Sequence, residues 1–517
     1  DACASLGQIR LKERNYPAAT ALYRRVVAAQ AGEPSAWSRF GEALDGAAAR
    51  EPSRKAEALQ AWQKAWDLGD RNPNMLQGFA RLHREKGTLD KAEGALEELI
   101  AQQPENDEAH AWLAEIALRK GDLSRAEEMF AQAAQSAPNK IEHTEGLGEV
   151  FYRRGDAESA KELLEAQKAR LTPAGRTTLA DVHRALGRPE AALPLYEEAA
   201  RKAPSERVTA GHAEALLDRG RPLDAKRLVE SSGHDQAPLP RLALGKALLA
   251  LREREKALKV FTALLKEDQD NGLYLQAWSL AQMELKNHDL ALKGFRKALE
   301  KRPDLTLAAY HAGRVLLAQG RMAEARTYFY DLAQHLPKPD RALGLRGLGD
   351  AALAEKKPAE AAEYLAQAAE LHPTPEISAQ LSRVYLSMQR TKDAEVWAQK
   401  SLESDEDYPE GIEALAEVML ALGRKEEARD FLKEAVTRNP RSCGLQMALS
   451  KVLVTMENFT GLAGSSRQAI SLCPEEPLSY YFAGVAADKA YQKKEAEEYF
   501  KEFKKLGGDK AALPKGY

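Results

Sequence analysis

Between Asp107 and Lys140 the apolar residues fall into two blocks with helical spacing. Trp112, Leu113, Ile116 and Ala117 share one stripe; Ala126, Met129, Phe130 and Ala133 share another. Gly121 separates the blocks and Pro138 closes the second. The pattern predicts two amphipathic helices of about 14 residues joined by a short turn. Alone, such a hairpin cannot bury both stripes. Stacked on copies of itself, it can.

The copies run through the chain. Counting slots from Asp107, the twentieth is alanine in 14 of 15 repeats, from Ala19 and Ala58 to Ala428 and Ala496, with Leu462 the exception. A methyl group is what two closely crossing helices tolerate at their contact. The twenty-fourth slot is usually large: Tyr23, Trp62, Phe130, Tyr196, Phe261, Phe295, Phe329 and Phe500. The thirty-second is proline at 104, 138, 204, 303, 337, 373, 440 and 474, which stops the second helix. A small eighth slot, these three positions and a 34-residue period together resemble tetratricopeptide repeats. The resemblance covers nearly all 517 residues. It implies an all-α, right-handed superhelical solenoid of about 15 helical hairpins, and a protein-binding scaffold rather than an enzyme.

Three stretches depart from the period. Repeat two carries five extra residues within Asp45 to Lys55, which lengthen either its first helix or its turn. Two extra residues precede repeat eleven near 338–343. The run SSGHDQAP at 231–238 is the most loop-like of the chain and marks a candidate hinge. It divides the array into repeats one to seven (1–237), repeats eight to fifteen (238–506) and a tail (507–517). Neither end shows a polar capping face, so Phe500, Phe503 and Leu506 are expected to be partly exposed unless self-association or the tail covers them.

Composition narrows the chemistry. The chain is 44% hydrophobic, 7% aromatic and 30% charged, as long helices are. Lys plus Arg (75) nearly balance Asp plus Glu (78), which gives no general pull toward nucleic acid. No run of about 18 apolar residues predicts a membrane span. The histidines form no metal-ligand spacing, and no nucleophile–base pair is brought together by the helices, so no catalytic, metal or cofactor residue is assigned. Gly344, Gly347 and Gly349 mimic a phosphate loop but fall inside a predicted helix. Three cysteines and no Cys-x-x-Cys favour free thiols, although Cys443 and Cys473 stand 30 residues apart, at a repeat's start and near its end.

The resemblance places the second, fifth and ninth slots of each first helix on a concave groove. There the ninth slots supply four consecutive acids, Glu115, Glu149, Asp181 and Glu214, joined by Glu108, Glu142 and Glu145. Stacked like charges call for an offsetting cation, so a cationic ligand is expected. Farther on, Leu242, Lys246, Leu273, Leu307, Tyr310 and Arg314 make the face apolar with basic points, suited to a hydrophobic or acidic peptide segment. No repeat has Asn in its ninth slot, so the carboxylate capture of one tetratricopeptide subclass is not carried over. The expected partners are proteins, not nucleic acid. Repeats of this look occur in bacterial envelope, pilus and polysaccharide-export assemblies, and the alanine- and arginine-rich composition accords with a bacterial source. The alternative is the targeting region of a larger enzyme or exporter. The sequence leaves the compartment open.

Overall fold

In repeat four the local signals do what the pattern predicts. Asn106 caps the first helix of repeat four (Asp107–Lys120), its side chain accepting from the Ala109 amide, and Asp122 caps the second (Leu123–Ser136) from the Arg125 amide. Gly121 ends the first helix with φ of 81°, the left-handed backbone that glycine adopts without a Cβ clash. Seven other turns place Arg14, Arg252, Lys286, Lys356, Gln389, Glu457 and Tyr491 in that same conformation, with φ of 55° to 62°. The second helices end just before the thirty-second-slot prolines, as at Ala137 and His372.

The computed structural model describes residues 2–335, 338–403, 405–509, 511 and 513–514. Pro337 and most of the tail beyond Asp509 lie outside the described residues, as do Asp1 and the side chain of His335. The described residues form thirty helices, two per repeat, and no strand. The chain divides into two compact bodies, Asp1–Val260 and Phe261–Tyr517. Each is a run of antiparallel hairpins in which the first helices of successive repeats pack on one another. The fold is all-α, an array of fifteen helical hairpins.

One packing device repeats. The large twenty-fourth side chain lies against first-helix glycines of its own or the next hairpin. A Cβ on Gly41 or Gly78 would meet the Trp62 ring at 2.4 and 2.3 Å, and one on Gly146 would meet Phe130 at 2.3 Å. Phe329 is enclosed likewise by Gly313 and Gly347. The glycines of the GLRGLGD run are therefore packing positions: Gly344 brings its helix (Lys338–Ala354) within 2.5 Å, by an added Cβ, of the Ala333 amide nitrogen. The alanines of the twentieth slot are fully buried throughout, and so is Leu462.

Two of the departures are accommodated locally. In repeat two the turn is lengthened: the helices Pro34–Ala47 and Arg54–Asp67 keep ordinary lengths and residues 48–53 carry the insertion. The extra residues of repeat eleven extend its first helix to 17 residues.

One expectation is corrected and one alternative is met. Cys443 and Cys473 are joined in a disulfide, their Cα atoms 6.1 Å apart. Cys443 opens the first helix of repeat fourteen (Cys443–Thr455) and Cys473 caps the second (Phe459–Leu472), so the antiparallel hairpin brings its two open ends together. Cys3 stays free. The last helix (Lys493–Lys505) exposes neither aromatic: Phe500 and Phe503 are buried. Their rings turn back toward Tyr481, Gly484 and Gly508, and Leu513 packs nearby, so residues of the tail help to cover them, while Leu506 stays half-buried.

Candidate partner-binding groove

The face shared by the first helices holds the candidate residues, and packing sorts them. In the first body the acids of repeats four to seven do not stand as bare like charges. Glu115 is paired with Arg84 at 2.5 Å. Arg207, on the first helix of repeat seven (Glu206–Asp218), reaches Asp181 at 2.8 Å on repeat six (Pro173–Ala185) and Glu149 at 2.8 Å on repeat five (Ile141–Arg154). Glu149 also takes Arg153 at 2.7 Å and the Thr178 hydroxyl at 2.9 Å. Arg184 binds Glu214 and Asp218, both at 2.8 Å, and Lys246 of repeat eight (Pro238–Ala250) completes the row with Glu214 at 2.6 Å. The Tyr196 hydroxyl donates to Asp181.

This ladder removes the reason for expecting a cationic ligand, since the chain supplies its own cations. The missed signal is positional. Arg84 and Arg184 both occupy a twelfth slot, one turn beyond the ninth, and each pairs with the ninth-slot acid of the next repeat. Counting ninth slots alone hid them.

The electrostatics agree. Burial raises the Glu149 carboxyl, but Arg207 and Arg153 outweigh it and hold the group below its ordinary value. At Glu214 burial is again outweighed, by Lys246 and Arg184. At Asp218 burial prevails over Arg184 and the carboxyl is raised. Glu145 is raised by burial too, despite the Thr172 amide at 2.6 Å and hydroxyl at 2.8 Å.

Burial also changes who can meet a partner. Glu145, Asp181, Leu242 and Tyr310 are buried and offer little surface. Leu242 and Tyr310, both in the fifth slot, turn toward the packed interior. Glu108 and Glu142 are exposed; Glu108 accepts from the Gln77 amide at 2.8 Å and has Lys140 at 3.8 Å. In the second body Leu273 (39% accessible), Leu307 (50%) and Arg314 are exposed on the first helices of repeats nine (Gly272–Glu284) and ten (Thr306–Ala318). Those two helices pack side by side.

His83 and His183, in the eleventh slot, are buried. His83 Nδ1 lies 2.5 Å from the Thr88 hydroxyl and His183 Nε2 lies 2.8 Å from Glu165. Burial pushes His83 down to about 4, with Lys91 and Lys86 adding to the effect. Among the described residues no group of three or more His, Cys, Asp or Glu could hold a metal ion, and no helix is long and apolar enough to cross a membrane.

Comparison with known proteins bears on the repeat directly. A tetratricopeptide repeat family model matches residues 78–141, 177–230, 242–305 and 276–338, and a second tetratricopeptide repeat model matches 414–442. The chain is similar to DnaJ homolog subfamily C member 3 of Rattus norvegicus, 32% identical over 96 residues; the match spans 19% of this chain and 19% of that relative. Among solved structures it is similar to a chain in the crystal structure of the APC/C hetero-tetramer Cut9-Hcn1, with a TM-score of 0.52 over 93% of this chain and 95% of that one. Identity there is 15%, so the likeness is one of fold. Alanine, ring and proline slots, thirty paired helices and these matches converge: the chain is a tetratricopeptide repeat protein.

Proposed function

We propose that this chain is a non-enzymatic scaffold that binds segments of partner proteins along the face formed by its first helices. The repeats and their relatives support a protein–protein interaction scaffold. The observation that carries the finer reading is the exposure of Leu273 and Leu307 on adjacent first helices, beside the exposed cation of Arg314. Isolated exposed leucines are ordinary; neighbouring ones along the shared face of a repeat array form a seat for apolar side chains. In the first body the exposed contacts are Glu108 and Glu142, at the edge of a charge-balanced ladder.

The Cys443–Cys473 bridge supports an oxidising compartment. For a bacterial chain that is the cell envelope, which accords with a role in an envelope-associated assembly.

The test is affinity capture from the source organism, with Leu273→Asp/Leu307→Asp compared against Val396→Asp, an exposed position on a second helix. The groove reading expects partners to be lost from the first variant and kept by the second. Loss from the second variant alone overturns it.

A further inference from the structure

In the first body the central acids on this face meet cations of the chain itself. In the second body two cations on the corresponding face form no ion pair among the described residues. Arg314 is exposed, and among the described residues no carboxylate stands within 4 Å of its guanidinium. Among the described residues Arg346, on the neighbouring first helix of repeat eleven, hydrogen-bonds the neutral amide oxygen of Gln380, at 3.3 Å. Asp350 stands beside them but forms an ion pair with neither; it accepts from the Tyr310 hydroxyl at 3.0 Å and the Gln380 amide at 2.5 Å. Both guanidiniums flank one ring, 5.9 and 5.8 Å from the centre of Tyr310. Their field reaches His311, whose imidazole is held down to about 4 by burial first and then by Arg314 and Arg346.

A planar cation left free beside an apolar seat is a recognition element with its counter-charge missing. We propose that Arg314 and Arg346 clamp a side-chain carboxylate of an extended partner segment, and that Leu307 and Leu273 seat an apolar side chain of the same segment. This rests on the groove reading above and specifies its ligand. The spacing follows from helix geometry. Leu307 and Arg314 are seven residues apart on one helix, about 10 Å along its axis. An extended chain advances about 3.3 Å per residue, so it covers that distance in roughly three residues. The segment therefore carries Asp or Glu three positions from a Leu, Ile, Val, Met or Phe. Exposed leucines beside a pair of arginines favour a peptide over a nucleic acid, whose binding is built on many phosphate contacts.

The test uses the full chain and fluorescent ten-residue peptides blocked at both ends, with a glutamate three positions before a leucine in a glycine–serine background. Control peptides replace glutamate by glutamine, replace leucine by serine, or move the glutamate one position closer. The glutamate–leucine peptide is expected to bind about tenfold tighter than any control. Arg314→Ala/Arg346→Ala erases the preference. Arg314→Glu/Arg346→Glu transfers it to the peptide with lysine in place of glutamate, a gain that an unfolded variant would not show. Equal binding of the glutamate and glutamine peptides, or a preference that survives loss of both arginines, overturns the clamp. So does displacement of the peptide by a single-stranded oligonucleotide that binds through the same arginines. If Leu273→Asp/Leu307→Asp loses captured partners while Arg314→Ala/Arg346→Ala keeps them, the clamp fails and the groove reading stands.

Discussion

Opening the Cys443–Cys473 bridge is expected to loosen repeat fourteen before any other. This repeat has the poorest internal packing by pattern: Leu462 and Ser466 stand where other repeats have alanine and a large side chain. Its interior holds a polar cluster instead. The Ser450 and Ser465 hydroxyls lie 2.8 Å apart, and Ser465 donates to the Gln446 carbonyl at 3.0 Å. The disulfide closes a loop of 30 residues around that interior. On chain entropy alone such a closure contributes about 3.6 kcal/mol. That corresponds to roughly 400-fold in a local opening equilibrium. The assay is hydrogen exchange on the intact chain, oxidised and reduced, with Cys443→Ala/Cys473→Ala as the permanent open form. Protection across Cys443–Leu472 should fall by about two orders of magnitude, while residues 107–136 stay unchanged, because a repeat contacts only its neighbours. Unchanged exchange in repeat fourteen on reduction would refute the reasoning. So would two reactive thiols at these positions in the natively purified protein.

Four further outcomes follow from the same packing and charge. Gly78→Ala places a methyl 2.3 Å from the Trp62 ring and should cost about 1–3 kcal/mol in thermal or urea melts. Gln389→Gly should stabilise by about 1 kcal/mol, since Gln389 holds φ of 61° in a turn where other repeats use glycine. Arg207→Ala leaves Asp181 without its cation and Glu149 with one fewer. It should cost about 2 kcal/mol, and much of that should return on adding Asp181→Asn. His83 is a base with a depressed folded value, so the unfolded chain takes up its proton first; its contribution is full above pH 6.5 and lost as pH falls toward about 4, an upper bound of roughly 3 kcal/mol that His83→Gln should remove from the acid slope of stability.

The repeat was legible because its signals are local and recur. An alanine at a helix crossing, a ring against glycine and a proline after the second helix each act within one or two hairpins, so slot counting finds them. The groove was half legible. Leu273, Leu307 and Arg314 are exposed, as their slots on the first helices predict. The acidic row was misjudged because its neutralising partners sit on other turns and other repeats: Arg207 meets Glu149 across 58 residues. The burial of Leu242 and Tyr310 was not legible, because a slot fixes a helical angle and leaves the depth of packing at that angle open. The disulfide needed the antiparallel hairpin itself, which turns a separation of 30 residues into 6.1 Å.

Charge pairing also explains how two stretches of one repeat can do different work. The ninth slot carries an acid in repeats four to seven and Arg314 in repeat ten, on equivalent helices. Where a neighbouring repeat supplies the opposite charge, as Arg184 does for Glu214, the pair ties successive first helices together and leaves no net field for a ligand. Where the neighbour supplies like charge, as Arg346 does for Arg314 around the Tyr310 ring, the two repel, and neither is tied into an ion pair among the described residues.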